Sequence, residues 1–417
     1  MSLLEHPASY ATELRRTLTE DIVPFWDRHA LDPEYGGIFT GLDRQGFVIE
    51  TDKSIWFQGR ATWLYAHLAM SDLGTEEDRT RWYATAAELR AFLNRYGYDS
   101  GAGRYRFRVS RTGAPLITRR YLFSDCFACL ANAAFARATA TTRTSDDDVK
   151  TSMDAVSDAR RIYHRILWYR ENPSALTPKI DPATRPSRGF ALPMILINVL
   201  QELRAADPSN AHSYTRQIDA LVEEVALFLD WNRRCVLEQV NPDGTPQNHF
   251  EGRLLNPGHA IEAAWFILEE ARHRTTVSSE GVPGLRTNTE LIDLGTRMLD
   301  WMWEWGWDTR YGGVLYFRDA GGYDSPEYWH DMKFWWPQCE AILATHYAYL
   351  ATRNPRYAEW HERAYTWAVE HLPDTEYGEW YGYLHRDGSV SSSLKGTLYK
   401  GPYHVPRMYL VSIALSG

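Results

Sequence analysis

Residues 308–322 read DTRYGGVLYFRDAGG, and two other stretches repeat the phrase: DPEYGGIFTGLDRQG at 32–46 and DTEYGEWYGYLHRDG at 374–388. Each opens on an Asp, turns through Tyr-Gly, alternates short apolar and polar residues, and ends on a second Asp near a Gly. That is the composition of a small hairpin. Weaker copies stand at 98–113 (YDSGAGRYRFRVSRTG) and at 236–244 (VLEQVNPDG), and the last two clear copies begin about 66 residues apart.

Between these loops the sequence has helical period. The stretches 56–71 (WFQGRATWLYAHLAMS), 189–205 (GFALPMILINVLQELRA), 256–272 (NPGHAIEAAWFILEEAR) and 332–351 (MKFWWPQCEAILATHYAYLA) are apolar on most faces, as helices packed on two sides are. Asn256 before Pro257 is a helix-start signal. A unit of two helices and a loop cannot bury its apolar face alone, and about six such units can close into a ring. The expectation is an all-α chain, an (α/α)6 barrel with hairpin loops at one end of a central cavity, forming one domain over 1–417. The polar stretches 141–148 and 271–289 read as surface connections within it.

Composition narrows the function. The net charge is −9 and basic residues are scattered, which argues against nucleic acid. No apolar run approaches the roughly 20 residues that span a bilayer, and the first residues carry no apolar core of a secretory signal, so neither a membrane nor an export route is expected. A cytoplasmic location is. Cys126 and Cys129 form a C-x-x-C without a second pair; in the run FSDCFACLANAAF they read as core thiols. The 17 Trp and 25 Tyr exceed ordinary core needs and suit a sugar pocket, since aromatic faces match the C–H faces of a pyranose.

Three segments carry more polar chemistry than packing requires: 56–60 (WFQGR), 256–262 (NPGHAIE) and 400–407 (KGPYHVPR). His259 and Glu262, three apart, share a helix face. Alone, that pair reads most simply as a histidine satisfied by a carboxylate. A metal site needs further ligands at similar spacing, and none is evident, so no metal is expected. His404 alone reads as a capping or core residue. The chain lacks G-x-G-x-x-G after a strand, the P-loop and G-x-S-x-G, so dinucleotide, phosphate-loop and α/β-hydrolase readings have no support and no cofactor is expected.

Taken in order along the chain, FQGR (57–60), FSDCF (123–127), NPGHAIEAAWFIL (256–268), MKFWWPQCEA (332–341), PDTEYGEWYGYLHRDG (373–388) and KGPYHVPR (400–407) resemble the N-acylglucosamine 2-epimerase family, also called the renin-binding protein family. The resemblance runs from 36 to 410. It implies the (α/α)6 fold, a small sugar substrate and a homodimer. It implies that His259 and His404 are an acid/base pair with Arg60 and Glu262 beside them. Glu262 would orient or tune His259, or bond a substrate hydroxyl, and Glu340 would either stand behind His404 or serve ordinary helix–helix hydrogen bonding. Trp56 and Trp336 would be sugar-stacking walls, and Met194 and Tyr399 would face the pocket. Two positions depart from the pattern. Tyr399 stands where cellobiose 2-epimerases carry the Trp that stacks on a second sugar. Gln338 stands where the N-acylglucosamine branch commonly has His.

The reaction implied is interconversion of N-acyl-D-glucosamine and N-acyl-D-mannosamine through the open-chain sugar and an enediolate; the alternative is 2-epimerisation or aldose–ketose isomerisation of free mannose. A glycoside hydrolase on the same fold requires two carboxylates flanking the bond, which a histidine-led cluster does not supply. A purely binding role leaves His259, His404 and Arg60 unexplained.

Overall fold

The structure is a computed structural model that describes residues 3–142, 145–178, 180–276 and 285–417. Among these residues twelve main helices alternate between an outer and an inner ring. The first, α1, runs through Pro7–Thr17, a π turn at Leu18–Ile22 and Val23–His29. Then follow α2 (Ile55–Met70), α3 (Glu76–Phe92), α4 (Phe123–Thr142), α5 (Asp146–Glu171), α6 (Ala191–Ala206) and α7 (Ala211–Ala226). The last five are α8 (Pro257–Thr276), α9 (Asn288–Gly306), α10 (Trp335–Thr352), α11 (Pro355–His371) and α12 (His404–Ser416). The even-numbered helices are the inner ring. Their faces are nearly all buried, because each packs on two inner neighbours and an outer partner. The ring closes where α12 packs on α1, and where Gly401 lies against the Phe57 ring of α2. This is the (α/α)6 barrel expected from the repeat. No helix among the described residues is long and apolar enough to cross a membrane.

Each inner helix follows an outer helix through a long loop, and α2, α4, α6, α8 and α10 each lead on to the outer helix they pack against most closely. All long loops therefore meet at the N-terminal ends of the inner helices. Short antiparallel pairings stitch successive loops together, for example Lys53–Ser54 with Arg108–Val109 and Lys333–Phe334 with Tyr383–Leu384.

The three clear loop copies share one internal architecture. Asp32, Asp308 and Asp374 each ion-pair with a fully buried lysine, Lys53, Lys333 and Lys395. Each of those lysines also donates to the carbonyl of the first glycine of its turn, Gly36, Gly312 or Gly378. Each Asp takes a further arginine from another loop: Arg111 on Asp32, Arg386 on Asp308, and Arg44 on Asp374. The last contact spans 330 residues and joins the first loop to the last.

Two expectations shift. The fifth loop copy starts at Asp230, not at 236: Leu229 pairs with Val236 as Tyr98 pairs with Tyr105. Arg234, at φ 52, occupies the left-handed position that Gly36 and Gly312 fill in the clear copies, so the glycine signal is missing there. The polar stretches are also shorter as connections than read. Thr142 ends α4, and Ser145 caps α5 through a capping box with Asp148. Helix α8 runs on to Thr276. Residues 143–144 and 277–284 of those stretches lie outside the described residues. Cys126 and Cys129 are free and buried, as read from their apolar context, and so are Cys235 and Cys339.

Candidate active site

A cavity of about 670 Å³ opens among the N-terminal ends of the inner helices. All six contribute to it, mostly from their first two turns, so the partial positive charge of six helix N-termini is directed toward one space. Every site residue singled out from the sequence lines this cavity except Glu340, which lies directly behind it.

Asn256 starts α8 by accepting from the His259 backbone N–H at 3.2 Å. The cap places His259 and Glu262 on the cavity face, one turn apart, as their spacing implies. The carboxylate that holds His259 is a different one, however. Its Nδ1 lies 3.1 Å from Oε2 of Glu238, a residue of the hairpin before the helix. Glu262 instead accepts from the Arg407 guanidinium. Of the roles implied for Glu262, orienting His259 thus falls to Glu238, while the Glu262 charge does raise the His259 pKa and its side chain lines the cavity. Burial disfavours the charged form of His259, but the Glu238 carboxylate, aided by Glu262 and Glu340, outweighs it and raises the pKa above the ordinary histidine value.

His404 is the first residue of α12, and its Nδ1 lies 2.7 Å from Oε1 of Glu340 on α10. Glu340 is fully engaged: Trp265 Nε1 donates to its other oxygen at 2.7 Å, and Arg407 donates to Oε1 at 2.7 Å. Burial pushes the His404 pKa well below the ordinary value, reinforced by the Arg407 and Arg60 charges. Arg407 adds to the effect of burial, because it pairs with both carboxylates that would otherwise favour a protonated His404. The oxygens of Glu262 and Glu340 and a nitrogen of His404 lie within 4.8 Å of one another, a spacing a metal ion could use. The cation they hold is the Arg407 guanidinium.

The two histidines flank α10, and Trp336 of that helix packs on both, with ring centroids 5.2 Å from His259 and 5.8 Å from His404. With Nδ1 tethered, the Nε2 of each ring is left for the cavity. His259 keeps 29 % of its side-chain surface open to that space, deep below the protein exterior, and His404 9 %.

Arg60, in the second turn of α2, meets no carboxylate in any ion pair of the described residues. Its guanidinium sits 4.1 Å from the Phe127 ring centroid and 5.0 Å from that of Tyr403, and donates at 3.3 Å to the Tyr399 carbonyl. Its Nε is buried without a partner. Burial brings its pKa down to about 10, which leaves it charged at neutral pH. A desolvated, aromatic-caged cation beside two histidines is poised for a developing negative charge.

Trp56 is fixed by donation from Nε1 to Ser124 Oγ at 3.1 Å, and Tyr399, half exposed, stands at the mouth 6.2 Å from it. Gln338 does not reach the cavity. It bonds the backbone N and O of Val314, as Gln58 bonds those of Ile38 in the first unit. The departure at this position therefore concerns loop anchoring. Sequence reasoning missed Glu238 and Arg407. An Arg three residues after His404 in an apolar last helix was a visible signal for the second; the first had none beyond a lone acid between two short strands.

The match to known proteins agrees with this geometry. Residues 37–405 match the family model for N-acylglucosamine 2-epimerase (GlcNAc 2-epimerase). The chain is 34% identical over 388 residues to the N-acylglucosamine 2-epimerase of Bos taurus, covering 93% of this chain and 86% of that protein. It is 25% identical over 409 residues to the cellobiose 2-epimerase of Bacteroides fragilis, covering 95% and 96%. Among solved structures, cellobiose 2-epimerase from Bacillus thermoamylovorans superposes with a TM-score of 0.79 at 18% identity over 98% of this chain and 99% of that one. A D-mannose isomerase superposes with a TM-score of 0.76 at 18% identity over 97% of each chain. The chain belongs to the N-acylglucosamine 2-epimerase family.

Proposed function

We propose that the protein interconverts N-acyl-D-glucosamine and N-acyl-D-mannosamine by moving a proton at C2 of the open-chain sugar. The observation that carries the reading is the histidine pair: two tethered imidazoles on either side of Trp336, with environments that push their pKa values in opposite directions. Such a split assigns acid and base. His404, kept neutral, removes the C2 proton through Nε2 while Glu340 accepts from its Nδ1–H. The electrons pass into the C1 carbonyl, and the oxygen of the resulting enediolate is stabilised by Arg60. His259, kept protonated beside Glu238, delivers a proton to the opposite face of C2, and the centre inverts. The proton has then changed histidines, so the product-bound form is set for the return reaction. The curated relatives at about a third identity, named for N-acylglucosamine, support the N-acyl substrate.

The test is incubation of the protein in D2O with N-acetylmannosamine and separately with mannose, followed by NMR. The expected result is N-acetylglucosamine deuterated at C2. Turnover of mannose alone, to glucose or to fructose, overturns the substrate. His259→Ala, which keeps the base, is expected to wash deuterium into C2 of recovered N-acetylmannosamine without inverting it, whereas His404→Ala does neither. Equal loss of exchange in both variants contradicts the division of roles.

A further inference from the structure

The inner helices divide the cavity unevenly. Helices α8, α10, α12 and α2 bring His259, Glu262, Glu340, His404 and Arg60 to it or directly behind it. Helices α4 and α6, next to one another in the ring, bring Phe123, Phe127, Ala191, Met194 and Ile195, and among the lining residues neither helix offers a polar side chain. Met194, Ile195 and Phe127 are buried, while Ala191 and Phe123 are partly open. A hydroxyl turned toward this wall loses water and gains no partner, which is unfavourable.

Ring order decides what faces it. The histidines stand on α8 and α12, one on each side of α10. A C2 carbon exchanging protons with both lies between them, and the plane of its enediolate lies across the line that joins them. Substituents in that plane point away from the line between the histidines, one way toward Trp336 of α10 and the other toward the far side of the ring. There α2 supplies Arg60 for the C1 oxygen, and α4 and α6 lie next in order for the other substituent of the C1–C2 unit, the group on C2.

We infer that the α4–α6 wall is the bay for the acyl chain of a 2-acylamino sugar, and that it takes linear chains longer than acetyl. The inference rests on the proposed N-acyl reading. It adds that selectivity at C2 is apolar in origin and set by Ala191, Met194 and Ile195. With no polar side chain of α4 or α6 among the lining residues and a cavity of about 670 Å³, extra methylenes meet apolar side chains. Ala191 is a partly open residue of this wall, and a larger side chain there takes up the space a long acyl group needs before that of a short one.

The experiment compares kcat/KM for N-acetyl-, N-propanoyl- and N-butanoylmannosamine with the full-length protein and two variants. The wild type is expected to hold kcat/KM within about threefold across the series. Ala191→Phe is expected to lower the butanoyl-to-acetyl ratio by about tenfold or more, and Met194→Ala to raise it severalfold. A wild type that loses more than tenfold on going to butanoyl overturns the proposal. So does a ratio unchanged in both variants, since a structural defect moves all substrates together. Should every N-acyl sugar keep its C2 proton while mannose exchanges, the functional reading itself fails, and that is seen in the first substrate before any ratio is taken.

Discussion

His259 and His404 carry the same side chain, are tethered at the same ring nitrogen by a glutamate, and touch the same tryptophan, yet they are tuned in opposite directions. Around His259 the nearest charge is a glutamate with no arginine bound to it. Around His404 the glutamate is shared with Arg407, which also holds Glu262, and Arg60 adds a second positive charge. The glutamate itself is thus not what sets the protonation state. With both rings buried, what separates them is whether a third group has already taken up the carboxylate's charge. Repeating one module with and without a neutralising arginine gives an acid and a base from identical parts.

The comparison predicts a bell-shaped pH dependence. The base must be neutral and its pKa is lowered, so activity rises with pH below the ordinary histidine value. The acid must be protonated and its pKa is raised, so activity falls only above that value. A plateau across neutral pH follows, and a single narrow peak at the ordinary value contradicts it.

The largest expected effect breaks the comparison outright. Either histidine changed to Ala lowers kcat by about 10²–10⁴-fold, read as N-acetylglucosamine formed from N-acetylmannosamine. Next comes Arg407→Met. It leaves Glu262 and Glu340 buried without their cation, at a cost of about 3–5 kcal/mol in unfolding free energy. It also frees Glu340 to act on His404 as Glu238 acts on His259, so the acidic limb moves to higher pH. Glu238→Gln is milder: His259 loses its largest favourable charge, its pKa falls, and the alkaline limb moves to lower pH with stability nearly kept. A variant that lowers activity equally at every pH points to geometry instead of tuning. The smallest effect is the control, Gln338→His, which disturbs the Val314 anchor by about 1 kcal/mol and leaves both limbs in place.

How much of this was legible depended on sequence distance. The barrel was readable because Asp and left-handed glycines recur where one turn is built again and again. The copy at Asp230 was misplaced because Arg234 holds the glycine's conformation without its signature. His259 and Glu262 were readable as a pair because a helix carries i and i+3 to one face. Their partners were not, because Glu238 reaches His259 from a hairpin 21 residues earlier and Arg407 reaches Glu262 across 145. No local period links such pairs. Ring order does, and it becomes visible only once the barrel is closed.

The clasp between Arg44 and Asp374 has a consequence in time. A ribosome delivers the arginine 330 residues before the aspartate, which is roughly 16–66 s at ordinary rates of synthesis. Over that interval the nascent polypeptide is a growing crescent whose first and last units have no neighbour on one side. His404 and Arg407 emerge later still. The segment that locks the circle and the segment that arms the chemistry therefore leave the ribosomal tunnel almost together, and a chain released early is both open and inert.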